Sequence, residues 1–369
     1  MNKALCGLIV LLFFGALVIS GCGDGGFVSR SDNTLVAAKV TKYAYVANAN
    51  SNNVSQYTVD ANGSLTAMIP ATVAAESGPN SVTVDPSGKY AYVTNNNSNT
   101  VSQYTIATNG SLTAMTPATV AAGTSPCSVT IDPSGKYAYV ANNSSNNITQ
   151  YTIAVDGSLT AMTPSSVPTE TGPYSVVVDP SGKYAYVTSI SNNSVSQFSI
   201  GVNGNLTAMT PASLATGAAP YIITVDPSGK YAYVVNGHSS DISQYTIGAN
   251  GSLTAMSPAT VATGITPYSI AVDPSGKYVY VADSSSSSVY QYTIGINGNL
   301  TAMTPATVAA ETSPNSVTVD LSGKFVYVAN AMSNTVSQYS IGANGSLTAM
   351  IPATVVTGAY PYHVTTLAK

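Results

Sequence analysis

Chemistry that depends on an imidazole, a thiolate or a guanidinium has little to draw on in this chain. Its 369 residues include two histidines and three cysteines, and Arg30 is the one arginine. His238 stands three residues before Asp241, a pair able to hold a metal ion or to act as base and acid. Two ligands without a third make a weak metal site, and a solvated loop accounts for the same residues, so no metal is assigned. His363, beside Tyr362, is the one candidate for acid–base catalysis. Cys127 could serve as a nucleophile only if cations lowered its thiol pKa, and none is evident around it. Glu76, Glu170, Asp283 and Glu311 are scattered singly. No calcium-loop, phosphate-loop or nucleophile-elbow spacing is present, and no cofactor is expected.

The bulk composition narrows the functions further. Charged residues make up 7% of the chain, against roughly 25% in an ordinary soluble domain. Eleven Lys+Arg face fifteen Asp+Glu, so there is no excess of cations to neutralise phosphates and nucleic acid is excluded as a partner. The 44% of apolar residues suffices for a large core.

The elements that must position these residues come from one text written seven times. Lys42, Lys89, Lys136, Lys183, Lys230, Lys277 and Lys324 are each 47 residues apart, and a fixed period of this size signals a repeat architecture. Each copy predicts four strands, as over 81–85, 90–94, 100–106 and from Leu112 onward, in β-branched and aromatic residues of period two. Asp85-Pro86-Ser87-Gly88 has the residues of a type I turn between the first two strands. Asn109-Gly110 predicts a hairpin between the third and fourth, because both residues tolerate positive φ. The fourth strand carries a proline, such as Pro117, and belongs on an exposed edge. Four antiparallel strands per 47 residues predict an all-β, seven-bladed β-propeller, with tyrosines of one blade against Ala and Val of the next.

Comparing the copies separates scaffold from freedom. The Asp-Pro-Ser-Gly and Asn-Gly turns hardly change. Variation gathers in the loop after the second strand (49–53, 96–99, 143–147, 189–193, 237–241, 284–288 and 331–334) and in the blade-to-blade loop. Alternation of strand direction puts both sets on one face of the disc. The blade-to-blade loops end in a ring of seven residues, Asn80, Cys127, Tyr174, Tyr221, Tyr268, Asn315 and Tyr362, each after a proline at the start of an innermost strand. This ring should circle the channel mouth. Its tyrosines and asparagines suit a sugar or peptide, and equally suit a plug that closes the channel. Near-identical blades imply a nearly symmetric channel, a poor frame for an asymmetric catalytic set.

Two resemblances add to this reading. Lys3 followed by an apolar run over 4–19 has signal-peptide proportions, and Val18-Ile19-Ser20-Gly21-Cys22 resembles the lipobox of bacterial lipoproteins. That resemblance implies a signal peptide over 1–21 and lipidation at Cys22; the Gly-rich polar stretch that follows reads as a tether over 22–40, and the repeats place the propeller over 41–369. The lipobox resemblance also implies export and a membrane anchor, with the outer membrane or cell surface favoured because Gly23, not an aspartate, follows the cysteine. Tyr92-Val93-Thr94-Asn95 and its variants in the other copies resemble the YVTN repeat of lactonase-like seven-bladed propellers. This second resemblance implies the fold, and among activities a 6-phosphogluconolactonase-like lactone hydrolase or a muconate-type cyclase. Basic and acidic channel residues are expected in such enzymes, and Arg30 lies in the tether. The reading taken is therefore a lipid-anchored envelope protein that binds a glycan, a peptide or another envelope protein on its variable face, with a lactone hydrolase as the alternative. Finally, the first copy begins with a second-type strand at Tyr43, and 361–366 matches the opening of an innermost strand. The C-terminal segment should close the ring in a three-plus-one blade; the rival is 34–38.

Overall fold

The computed structural model describes residues 42–368. They form 28 strands in seven four-stranded antiparallel sheets, the seven blades of a propeller. The innermost strands, in blade order, are Pro361–Ala368, Pro79–Val84, Pro126–Ile131, Pro173–Val178, Pro220–Val225, Pro267–Val272 and Pro314–Val319. Each touches the next, and the last returns to the first, so they ring the axis. Blade 1 is completed by Lys42–Asn48, Asn53–Val59 and Leu65–Ala74, with Pro361–Ala368 pairing antiparallel to Lys42–Asn48. The three-plus-one closure is thus made by the C-terminal strand. The rival segment 34–38, the signal peptide over 1–21, Cys22 and the tether over 22–40 lie outside the described residues.

The core sits between blades. Tyr43 and Tyr45 of blade 1 pack with Ala91 and Val93 of blade 2, large against small as the alternation requires. The Tyr45 hydroxyl then donates to the Gly110 carbonyl at 2.7 Å, in the Asn-Gly hairpin of the next blade. The same bond recurs around the ring, closing with Tyr327 to Gly63. Burial raises the pKa of these phenols, so the hydroxyls remain donors across the whole working range. Gly110 has no room for a Cβ, which would sit 2.2 Å from the Tyr43 ring at a φ of +83°.

The hairpin forms where the sequence places it, but by another turn. Only the glycine takes positive φ, as at Gly63 and Gly110; the asparagine does not. Gly110 N–H bonds to Ala107 O and Ala107 N–H to Ser111 O, a type I turn followed by a left-handed glycine. The Asn109 side chain accepts from the Ser111 N–H instead. The outermost strands carry the prolines as expected, each after a cis peptide bond. Opposite these prolines the ladder is interrupted, as between Thr149 and Tyr151. Gln150 bridges the gap: its amide donates to Pro164 O at 3.1 Å, and its oxygen accepts from the Leu206 N–H of the next blade at 2.7 Å. A buried glutamine does this in all seven copies.

Candidate functional site

The ring residues owe their direction to a bulge. Pro79 pairs with Asn95 and Ser81 with Thr94, so Asn80 is left between them without a ladder partner. An extra residue of this kind re-aims a side chain, here toward the axis. The same shift flanks Tyr174, Tyr268, Asn315 and Tyr362.

The seven side chains then divide into two groups. The hydroxyls of Tyr174, Tyr268 and Tyr362 meet in a hydrogen-bonded trio, with Tyr174 and Tyr268 2.6 Å apart. These three come from blades 4, 6 and 1, so the trio spans the axis. Tyr221 leans away instead, stacked on Tyr268 at 4.5 Å between centroids, over a loop where only Gly237 leaves space for its ring. Burial pushes the trio's pKa values up, and they stay protonated. Beneath them is an axial cavity of about 230 Å³, lined in part by Asn315 and His363. Half of the ring is therefore a plug.

The other half is a gap. Asn80 and Cys127 are small, and they stand between Tyr362 and Tyr174. Above them opens a pocket of about 340 Å³, lined by Asn50, Asn96, Asn97 and Asn143 as well as by these four ring residues. The channel is thus not symmetric, contrary to the expectation from near-identical blades. Two adjacent small side chains open the gap, whereas Asn315, the third small residue of the ring, stands singly between Tyr268 and Tyr362. Asn50, Asn96, Asn97 and Asn143 belong to the loops that vary between copies, and that variation was their signal in the sequence.

The pocket is built of amides rather than charges. Cys127 accepts from the Asn96 amide at 3.4 Å. Burial pushes the Cys127 thiol up to about 12, against the pull of the Asn143 backbone N–H and the Asn96 and Asn80 amides. A thiol so held is not a thiolate nucleophile. Asn80 Oδ1 is buried without a hydrogen-bond partner, and an acceptor left so costs about 1–3 kcal/mol until something donates to it.

The two histidines are not brought together. His363 lines the axial cavity, not the pocket, and its Nδ1 accepts from the Val82 N–H of the next blade at 3.4 Å. Ser128, Ser269 and Ser316, at the same place in their copies, use Oγ for the same bond. His363 is a stand-in for that serine. Burial lowers its pKa to about 4, so the ring is neutral and Nδ1 is free to accept. His238 is exposed, whereas Asp241 is occupied, accepting from Asn236 at 2.6 Å and from Ser239 at 3.1 Å. Asn53 and Asn147 accept from Asn48 and Asn142 in the same manner. Asp283, wholly buried, binds the backbone N–H groups of Thr266 and Ser286. Among the described residues no group of three or more His, Cys, Asp or Glu could hold a metal ion.

The sequence matches the family described as lactonase, 7-bladed beta-propeller, over residues 33–172 and 168–361. The chain belongs to that family. Among solved structures, the periplasmic gluconolactonase of Pseudomonas aeruginosa is 19% identical, with a TM-score of 0.75 over 89% of this chain and 99% of that one. A protein from Lactobacillus plantarum is 19% identical, with a TM-score of 0.76 and the same coverage. A Bacteroides fragilis protein, a candidate 6-phosphogluconolactonase, is 21% identical, with a TM-score of 0.75 over 89% and 98%. At these identities the likeness is one of fold. No curated protein matches the chain.

Proposed function

We propose that this lactonase-family propeller binds a neutral, polyhydroxylated ligand, a sugar or sugar lactone, in the amide-lined pocket between Tyr362 and Tyr174. One observation carries the reading: the ring splits into a closed tyrosine plug and an open, uncharged gap of about 340 Å³. Amides offer donors and acceptors to hydroxyls, and the two flanking tyrosines offer apolar ring faces. Charge favours a neutral ligand over a phosphorylated one. The described lysines all lie on the opposite face, six of them after its turns, while Glu76, Glu170, Asp241, Asp283 and Glu311 lie on this one. A phosphate group would meet no lysine or arginine of the described residues here.

Lactone hydrolysis is the second reading, supported by the names of the related structures from Pseudomonas aeruginosa and Bacteroides fragilis. Among the described residues none in the pocket stands out as general base: Cys127 is held as a thiol, and His363, in the axial cavity beneath, is committed to Val82. Calorimetry with glucono-1,5-lactone, gluconate and glucose, run beside a hydrolysis assay, separates the two. Binding without turnover, weakened about tenfold in Asn80→Ala as a pocket hydrogen bond is lost, is the expected result. Turnover well above the spontaneous rate would replace the binding reading by the enzymatic one, and absence of any sugar binding would remove both.

For location we propose export and a lipid anchor at Cys22. The support is the lipobox-like segment and the periplasmic address of the Pseudomonas relative. Cys22→Ala should release the protein from the membrane fraction or block its processing. Unchanged attachment and mobility would refute the anchor.

A further inference from the structure

The face opposite the pocket has its own chemistry. It carries the Asp-Pro-Ser-Gly-Lys turns and the Asn-Gly hairpins, and with them every lysine of the described residues. Lys42 is bound to Asp320 at 2.7 Å. The other six are exposed, and among the described residues none has a carboxylate within ion-pair range. The carboxylates of the turns are withdrawn beneath them. Asp132, 5% exposed, accepts the N–H groups of Ser134, Lys136 and Tyr137. Lysines therefore outnumber carboxylates in the outer layer of this face, six against the exposed Asp60 and Asp156 of the hairpins, while the turn aspartates form an inner layer, an arrangement that attracts phosphate at contact range rather than at a distance.

Between these lysines stand aliphatic tips. Val155, Val202 and Ile296, at the hairpins of blades 3, 4 and 6, are 101%, 104% and 96% exposed. Their carbonyls are already satisfied. The Val155 carbonyl accepts from the Tyr90 hydroxyl at 2.9 Å and the Ile296 carbonyl from Tyr231 at 3.2 Å, while Gly157 N–H bonds to Ala154 O. Such a tip can leave water without stranding its carbonyl. Between blades 3 and 4, a cleft of about 310 Å³ sets Lys136 and Lys183 beside Val202, and like clefts follow between blades 4 and 5 and between 5 and 6. Lys42, where the described chain begins, is on this face too.

We propose that this face docks on an anionic phospholipid surface, with Val155, Val202 and Ile296 at the headgroup–acyl boundary and Lys136, Lys183 and Lys230 against lipid phosphates. Apolar tips supply buried area and lysines the electrostatic attraction, the two terms of interfacial binding. The pocket then points away from the membrane, and the proposal stands or falls independently of what that pocket binds.

The test is amine acylation of the full chain, read lysine by lysine by mass spectrometry, in isolated membranes and after detergent solubilisation. Lys136, Lys183 and Lys230 should react about five-fold more slowly in membranes, as expected for ammonium groups held at a phosphate layer. A Val155→Asp, Val202→Asp, Ile296→Asp triple variant should lose that protection while unfolding at the wild-type temperature. Equal rates in the two preparations overturn the proposal. So does protection that persists in detergent, which would give this face to a protein partner or a second copy of the chain.

Discussion

His363 shows how one residue can be singled out for the wrong reason. A lone histidine near a channel mouth suggests catalysis; its geometry makes it a hydrogen-bond acceptor that replaces a serine. The cost of the replacement falls at low pH. The pKa of His363 is lowered to about 4 in the fold by burial, against about 6.5 in the unfolded chain. Between those values the unfolded state binds the extra proton, so stability falls as pH drops from about 6.5 toward about 4. Near pH 5 the loss is about 2 kcal/mol. His363→Ser should keep the Val82 bond and lose this slope, so that unfolding midpoints at pH 7 and pH 5 draw together. Asp320 adds acid sensitivity at lower pH. Burial works against its charge, but Lys42, Ser322 and the backbone amides of Lys324 and Phe325 hold its pKa below the ordinary carboxylate value. Its stabilisation is present above about pH 4, the unfolded value, and lost as pH falls through the folded one. A His363→Ser protein that kept the whole loss between pH 7 and pH 5 would show that the slope comes from other groups.

At the scale of the element, the sequence was most informative where a local pattern decides a structure. Period-two alternation, the Asp-Pro-Ser-Gly turn and the edge prolines placed the four strands of every blade, and blade closure followed from Pro361 onward. Direction of side chains was less legible. The bulge that aims Asn80 and Tyr362 into the mouth depends on pairing with the next strand, which no local signal shows. The division of the ring into plug and gap depends in turn on how four tyrosines share one space. Gln150 escaped the sequence reading although glutamine occupies its place in all seven copies, because a polar residue in a strand reads as solvent-facing until its two partners are known. Those partners give a prediction. Gln150→Ala strands the buried Leu206 N–H, at about 1–3 kcal/mol, and also removes the bond to the Pro164 carbonyl on the outer strand. Thr152→Ala, two residues on and exposed, removes only a surface hydroxyl contact at 3.3 Å and should stay within about 0.5 kcal/mol. Urea unfolding of the two variants makes the comparison, and equal midpoints would mean that the glutamine series carries no stability.

For the whole molecule, closure decides whether seven similar sheets are one folding unit. Each blade buries its faces only against its neighbours, so an open ring would leave two apolar faces in water. The strand Pro361–Ala368 prevents this in three ways. It pairs along Lys42–Asn48, it places Leu367 in the core shared with blade 2 and Val364 in that shared with blade 7, and it delivers Tyr362 to the hydroxyl trio. Lys42 adds a latch from blade 1 to the Asp320 turn of blade 7. Asp320 is 2% exposed, so removing the Lys42 ammonium leaves a buried carboxylate short of a partner, at about 1–3 kcal/mol or more, and truncating a buried leucine costs about 2–5 kcal/mol. Leu367→Ala should therefore lower stability at every pH, whereas the cost of Lys42→Ala should fade as acid protonates Asp320. Deleting 359–369 should lower the unfolding temperature of the whole ring, not of one blade, because every blade depends on a closed circle of neighbours. Deleting 23–36, which lies outside the described propeller, should leave it unchanged. Calorimetric melting of the two truncations settles the point: if the C-terminal deletion melts with the full-length chain, closure is not what makes the seven blades one cooperative unit.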